Sequence, residues 1–382
     1  MQNDPLTPYG NKPMVTPIVS AVNYEYVSFD ILKKITDGKI DGYTYHRDDN
    51  PTIRAQEKRL ALLEDANDCI ICTTGMAALT MIFLTYLKKG DHLLTFYDIY
   101  GANYKVSLIL EKFGVEITWL NADDYLKAEE YIKPNTKMIF FETPSNPLIK
   151  VIDIDFFKKI CDKSDAMMVV DNTFATPYHQ KPLKLGADLV VHSVTKALGG
   201  HNDLMGGAII CKNHDQYEQL WFTRQAIGTT LDAFSGSLLE RGLKTFELRS
   251  KKMSENALIV STFLKSHSKI KKIYYPGLPS NKGHEVAKKQ MKNGFGGMLA
   301  FDVGENQADA EKFVSNLKTI KHAVSLGCTE SLVCMPVLTT MLYMPLERRL
   351  TFGVKENTVR MSCGIEDSTL LIDDIKQSLD KL

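Results

Sequence analysis

The sequence predicts an α/β protein with a mostly parallel central sheet and helices on both faces. Three observations predict it: from Thr52 onward helical periodicity alternates with strand-like runs, those runs are short and apolar, and each closes on a polar or small residue. Before that point, residues 1–50 mix Pro, Gly, Tyr and Asp without sustained periodicity, so an extended arm is expected there, with a short helix over 28–37. The alternation then gives a helix over 53–64, a strand over 68–73, a helix over 76–87, a strand over 92–96 and a helix over 104–113. Strands follow at 138–142, 166–171, 189–193 and 207–211. A long helical stretch over 235–265 leads into the segment 271–275, the turn Pro276-Gly277 and a smaller mixed segment ending at Leu382. The expected division is an arm (1–50), a large domain (51–250) and a small C-terminal α/β domain (251–382).

The 382 residues suffice for two or three domains and a large core. Lys plus Arg and Asp plus Glu are 46 each, so no electrostatic footprint for nucleic acid exists. Apolar runs fall short of the roughly 18 residues a membrane span needs, and residues 1–10 lack a basic start followed by an apolar stretch, so a soluble cytoplasmic protein is expected. Seven scattered cysteines argue against a disulfide framework. Cys69 and Cys72 have redox or metal spacing, but Ile70 and Ile71 between them continue a strand, which favours a buried structural pair. No metal site is expected.

Open α/β sheets bind ligands at strand carboxyl ends, and three such ends carry chemistry. In Asp188-Leu-Val-Val-His-Ser-Val-Thr-Lys196, the lysine follows an apolar strand by a few residues. Desolvated there, it can lose its proton and form a Schiff base with a carbonyl cofactor, although a structural lysine also fits. Met167-Met-Val-Val-Asp171 ends on a carboxylate. It can serve as a plain cap or as the anion that keeps a pyridinium nitrogen protonated. In Cys72-Thr-Thr-Gly75-Met76, a strand meets a helix whose first amides can hold a phosphate, or simply turn the chain. Neither dinucleotide nor nucleoside-triphosphate glycine motifs accompany it, which leaves another phosphate-bearing cofactor.

Ordered motifs run along nearly the whole chain: Thr16-Pro-Ile, Tyr43-x-Tyr45-x-Arg47-x-x-Asn50-Pro-Thr52, Gly75-Met-Ala-Ala, Tyr100-Gly101, Glu142-Thr-Pro-Ser-Asn-Pro147, Val170-Asp-Asn-Thr-Phe-Ala-Thr-Pro177, Ser193-x-Thr-Lys196, Arg241-Gly-Leu-Lys-Thr245, Ser325-Leu-Gly and Arg360-x-Ser-x-Gly-Ile-Glu-Asp367. In these the sequence resembles the Cys/Met-metabolism family of pyridoxal-phosphate enzymes, which includes cystathionine γ-synthase, cystathionine γ-lyase and methionine γ-lyase. The resemblance implies the type I fold of pyridoxal-phosphate transferases and pyridoxal 5'-phosphate as cofactor. It implies that Lys196 binds the cofactor covalently and shuttles protons, that Asp171 pairs with the pyridine nitrogen, and that Tyr100 stacks on the ring and assists proton transfer. Gly75, Met76, Ser193 and Thr195 would hold the phosphate, joined by Tyr45 and Arg47 from a neighbouring subunit, which makes the enzyme a homo-oligomer, a tetramer built from dimers that share active sites. Asn146 would touch the phenolic oxygen, and Ser325 with Arg360 would hold the carboxylate of an amino-acid substrate.

Departures from the family pattern bear on substrate. His46, Asn103 and Met335-Pro336 stand where Ser, Thr and His-Pro are usual, and His46 is expected to be packed or solvent-facing rather than a catalytic base. Val324 stands where the cystathionine enzymes usually carry Glu and methionine γ-lyases tend to carry Val, whereas Ala102 replaces the cysteine of the latter. The expected activity is γ-elimination on L-methionine or L-cystathionine. The alternatives are γ-replacement on an O-acylhomoserine with cysteine and, more remotely, an inactive scaffold.

Overall fold

The computed structural model describes residues 13–342 and 344–382; the stretch 1–10 lies outside them. Seven strands form the large sheet: β1 (Asp68–Cys72), β2 (His92–Phe96), β3 (Glu116–Leu120), β4 (Thr136–Glu142), β5 (Met167–Asp171), β6 (Leu189–His192) and β7 (Gly207–Cys211). Their spatial order is β1-β7-β6-β5-β4-β2-β3, and every pairing is parallel except those of β7. The continuous apolar runs are explained by burial on both faces: β1, β2, β6 and β7 are buried at every residue. Cys69 and Cys72 are buried free thiols within β1, as Ile70-Ile71 predicts.

An edge strand and two α-helices are among the elements of this part that were not expected. Edge strand β3 alternates (Glu-Ile-Thr-Trp-Leu) and is half-exposed, so it lacks the apolar run that marks its neighbours. The helix Ile154–Cys161 is only eight residues long, capped by Asp153, and the helix His214–Ile227 presents few buried residues (Gln216, Tyr217, Leu220, Arg224). The expected single helix over 235–265 is a correction: the chain forms Ala233–Leu243 and Phe246–Ser266, broken at Lys244-Thr245. The break has a cause, because the Gly242 carbonyl accepts from the Arg249 guanidinium (2.7 Å) instead of carrying the helix through.

A second sheet, in the order β10-β11-β12-β9-β8, follows: β8 (Ile270–Tyr274), β9 (Met298–Val303), β10 (Lys321–His322), β11 (Leu332–Cys334) and β12 (Thr358–Ser362). Residue 250 falls in the helix Phe246–Ser266, whose Phe246 lies in the core of the large sheet while Ala257, Val260 and Leu264 lie in that of the small one. Met335, at the family's His-Pro position, is buried in this second core.

The arm is tethered rather than loose. Thr52 donates to the Pro17 carbonyl (2.8 Å) and accepts from the Val19 amide (2.9 Å), and Asn50 caps the helix Pro51–Leu63 by accepting from Thr52 and Ile53. The expected short helix is Phe29–Thr36, capped by Ser28, with no buried residue. His46 is packed, its ring bonded to the Leu231 carbonyl (3.1 Å) and the Asn50 amide (2.9 Å).

A Cβ at Gly242 would lie 2.2 Å from the Gly199 carbonyl oxygen, backbone that cannot rotate away. Gly242→Ala is therefore expected to destabilise the fold by about 1–3 kcal/mol. Thermal denaturation beside the wild type checks this, and an unchanged midpoint would contradict the close approach.

Candidate active site

Strand ends gather the site. Glu142 and Asp171 are register partners closing β4 and β5, and Asp171 pairs with Val191 of β6, two residues before Ser193. Past β6 the chain turns tightly: Ser193 donates its amide to Thr173 Oγ1 (2.9 Å), and the Gly200 amide returns to the Lys196 carbonyl (2.7 Å). A buried Arg249 clamps this turn by donating to the Ala197 carbonyl (2.7 Å). Lys196 is thereby held above the sheet edge, where its Nζ donates to Ser325 Oγ (2.9 Å).

A cavity of about 360 Å³ opens here, lined by Gly75, Met76, Tyr100, Asn146, Asp171, Ser193, Thr195, Lys196, Val324, Ser325 and Arg360 among others. Eleven residues singled out in the sequence thus meet in one space. Tyr45 and Arg47 do not line it; they lie on the arm, 41% exposed at Tyr45, with the Arg47 guanidinium over the Tyr45 ring at 5.2 Å.

Each wall has a defined chemistry. On one side, Thr74 caps the helix Gly75–Tyr86 by accepting from Ala77 (2.9 Å), so the Gly75 and Met76 amides, which have no acceptor within the helix, remain for an anion. Gly75 must be glycine, since a Cβ there would sit 2.9 Å from that of Ser193. The Thr195 hydroxyl is already engaged with the Gly206 backbone, accepting at 2.9 Å and donating at 3.2 Å. On the opposite side Arg360, 3% exposed, donates to Asn146 Oδ1 (3.0 Å) and the Ser325 carbonyl (3.3 Å). No carboxylate pairs with it among the described residues, so a buried guanidinium faces the cavity ready for one. Ser325 sits at φ +88°, a left-handed conformation that β-carbon sterics disfavour and that these contacts hold in place.

Electrostatics follow from this packing. Burial first, and then the Arg360 charge, lower the Lys196 amine from the usual lysine range to about 8, which gives it a neutral, nucleophilic fraction near physiological pH. Burial raises the Asp171 carboxyl, opposed by hydrogen bonds from Thr173 and by His192. Glu142 is driven well above the carboxylate range by burial and by the charge of Asp171.

Sequence reasoning missed several lining residues, Thr74, Glu142, Thr173, Phe174, Met205 and Thr340, and noted Asn103 only as a departure from the family pattern. A signal existed for Glu142, which ends an apolar strand as Asp171 does. None existed for Thr340, whose carbonyl packs against Gly101 across 239 positions of sequence.

A family model described as Cys/Met metabolism PLP-dependent enzyme matches residues 3–380. The chain belongs to this family. It is 40% identical to a cystathionine γ-lyase of Bacillus subtilis, over 95% of each chain, and 39% identical to an L-methionine γ-lyase of Fusobacterium nucleatum, over 89% of this chain and 87% of that one. The solved cystathionine γ-lyase of Lactobacillus plantarum, complexed with L-serine, superposes with a TM-score of 0.89 at 37% identity, covering 95% and 93% of the two chains. The chain is therefore an enzyme of type I fold that uses pyridoxal 5'-phosphate. Its own residues fit that cofactor: free helix amides where no Cβ has room, a carboxylate on a neighbouring strand end, and an amine of lowered basicity between them. No helix among the described residues is long and apolar enough to cross a membrane.

The depressed Lys196 amine is directly testable. In cofactor-free enzyme, pH-dependent acetylation of Lys196 read by peptide mass spectrometry should titrate at about 8, and Arg360→Met should move the midpoint upward. A midpoint in the ordinary lysine range, unchanged by the substitution, would refute the stated cause.

Proposed function

We propose that this enzyme is a carbon-sulfur lyase that eliminates the γ-substituent of L-methionine or L-cystathionine, giving 2-oxobutanoate, ammonia and a thiol. The observation that carries the reading is Val324 in the cavity lining, beside Ser325 in sequence and with apolar Met205 and Leu326 also lining it, whereas the two carboxyls of that lining, Glu142 and Asp171, close strands β4 and β5. Identities of 40% and 39% to lyases named for these two substrates do not choose between them.

When bound, the cofactor supplies an aldehyde that joins amines covalently and a ring that withdraws electrons from the substrate Cα and Cβ. Lys196 Nζ holds it and moves the Cα proton, which requires the amine to be neutral part of the time. Asp171 holds the proton of the ring nitrogen. Gly75, Met76, Ser193 and Thr195 would hold the cofactor's phosphate, and Asn146 would help to orient its ring. Arg360 and Ser325 fix the substrate carboxylate, and Tyr100 shields the ring and moves a proton at the leaving group. Tyr45 and Arg47 complete the phosphate site of a neighbouring subunit in a cytoplasmic homo-oligomer, a reading supported by their position outside their own cavity and by exposed Val27 and Phe29 on the arm.

Purified enzyme incubated separately with methionine, with cystathionine, and with an O-acylhomoserine plus cysteine distinguishes elimination from replacement by whether 2-oxobutanoate or cystathionine accumulates. Lys196→Ala should abolish turnover in all three. Val324→Glu should lower the ratio of kcat/KM for methionine over cystathionine by about tenfold, because an unpaired carboxylate disfavours the thioether and can pair with the distal ammonium. A ratio that holds or rises would remove the support for an apolar γ-substituent. Mixed Arg47→Ala and Lys196→Ala subunits should regain about a quarter of wild-type sites after random exchange. Activity no higher than the parents, with exchange demonstrated, would exclude a shared site.

A further inference from the structure

We propose that Glu142 is a positioning residue of the reaction: it carries the proton of a carboxyl pair with Asp171, and its Oε1 fixes Tyr100 at the edge of the cavity. The inference rests on the roles proposed above for Asp171 and Tyr100.

The pair arises from strand register. Glu142 and Asp171 are partners at the ends of parallel neighbours, so their side chains leave the same face of the sheet from backbones about 4.8 Å apart, and both line the cavity. No cation forms an ion pair with either carboxyl among the described residues. Arg360 of β12 donates to Asn146 Oδ1 (3.0 Å) and the Ser325 carbonyl (3.3 Å), and its charge acts on Glu142 without forming an ion pair with it. Lys196 is turned to Ser325 Oγ (2.9 Å), and His192 of β6 is turned to Glu64 Oε1 (2.5 Å). Two buried carboxyls side by side, with no protein cation in an ion pair with either and one ring nitrogen between them, do not both ionise, so the pair holds one proton.

Donors favour the anion of both members, so the ring nitrogen proposed above to sit against Asp171 decides which one keeps the proton. Asp171 Oδ1 accepts from the Thr173 amide (2.9 Å), and His192 lies on the neighbouring strand, both of which favour the anion. In Glu142, Oε1 accepts from the Tyr100 amide (2.7 Å) and the Asn103 side chain (2.8 Å), whereas Oε2 makes no hydrogen bond among the described residues and is free to bear a hydrogen. Glu142 is 5% exposed, and burial there penalises its charged form. Neutral Glu142 leaves the single negative charge on Asp171.

The same oxygen sets Tyr100. The helix Gly101–Lys112 begins immediately after it, and Tyr100 supplies no side-chain cap of its own. Glu142 takes that place from another strand, gathering the Tyr100 amide and the side chain three residues on into one acceptor. Asn103, which departs from the family's usual Thr, is thereby explained as the second donor.

Infrared spectroscopy of the cofactor-loaded enzyme at neutral pH tests the pair without turnover, so an error in substrate or reaction leaves this result untouched. A protonated-carboxyl stretch should disappear in Glu142→Gln and shift in Asn103→Ala. Glu142→Gln, which retains a carbonyl acceptor, should lower kcat by less than about tenfold, and Glu142→Leu by at least about tenfold more. Should the Leu variant fail to fold, the shift in Asn103→Ala still decides. No band lost in Glu142→Gln, no shift in Asn103→Ala, or equal rates for the Gln and Leu variants would each overturn the proposal.

Discussion

The in-register parallel pairing of β4, β5 and β6 is the constraint on which the site depends. It brings three strand ends to one level, so Glu142, Asp171 and the turn after His192 face the same space. Each strand is apolar because both faces are covered, and each ends on a polar group because only its carboxyl end leaves the core. The Lys196 turn is then closed from behind by a guanidinium: Arg249 bonds the carbonyls of Ala197 and Gly242, joining that turn to the break between two helices. Side-chain geometry at the cavity is thus inherited from main-chain geometry beneath it.

Within that frame, charge is distributed unevenly. Lys196 follows the large sheet and Arg360 belongs to β12 of the second one, and neither forms an ion pair among the described residues; burial, and then the nearby guanidinium, lower the amine. Two carboxyls lie together on the sheet side with the opposite problem. A site with unpaired groups of each sign is costly in an empty protein and becomes favourable when an anionic substrate and a cationic ring nitrogen enter it.

The arm shows the complementary arrangement, a tethered backbone bearing exposed side chains. Arg224 is fully buried, paired with Glu57 at 2.7 Å, and donates to the Asp48 carbonyl (2.7 Å), which also accepts from Trp221 Nε1 (3.0 Å). Thr230 donates to the Arg47 carbonyl (2.7 Å). The main chain at 47–48 is therefore fastened to the large sheet's helices while the Arg47 side chain remains over half exposed.

The sequence by itself determined the class of sheet, because runs such as Met167-Met-Val-Val-Asp171 and Leu189-Val-Val-His192 can be satisfied only by burial on both faces. It also marked Lys196, Asp171 and the turn at Gly75 as candidates, since each sits at a fixed step from its own strand and needs no distant partner to be noticed. Edge strand β3 escaped because one face meets water and its alternating pattern carries no run, and the interruption at Lys244 escaped because its cause, Arg249, acts through a side chain. Only the tertiary structure decided that Ser325 and Arg360 lie against Lys196, that Glu142 shares a wall with Asp171, and that Asn103 belongs to the site. Local pattern records which face of an element is buried; which residue lies opposite is set by register and by the docking of the second sheet, neither of which leaves a mark on neighbouring residues.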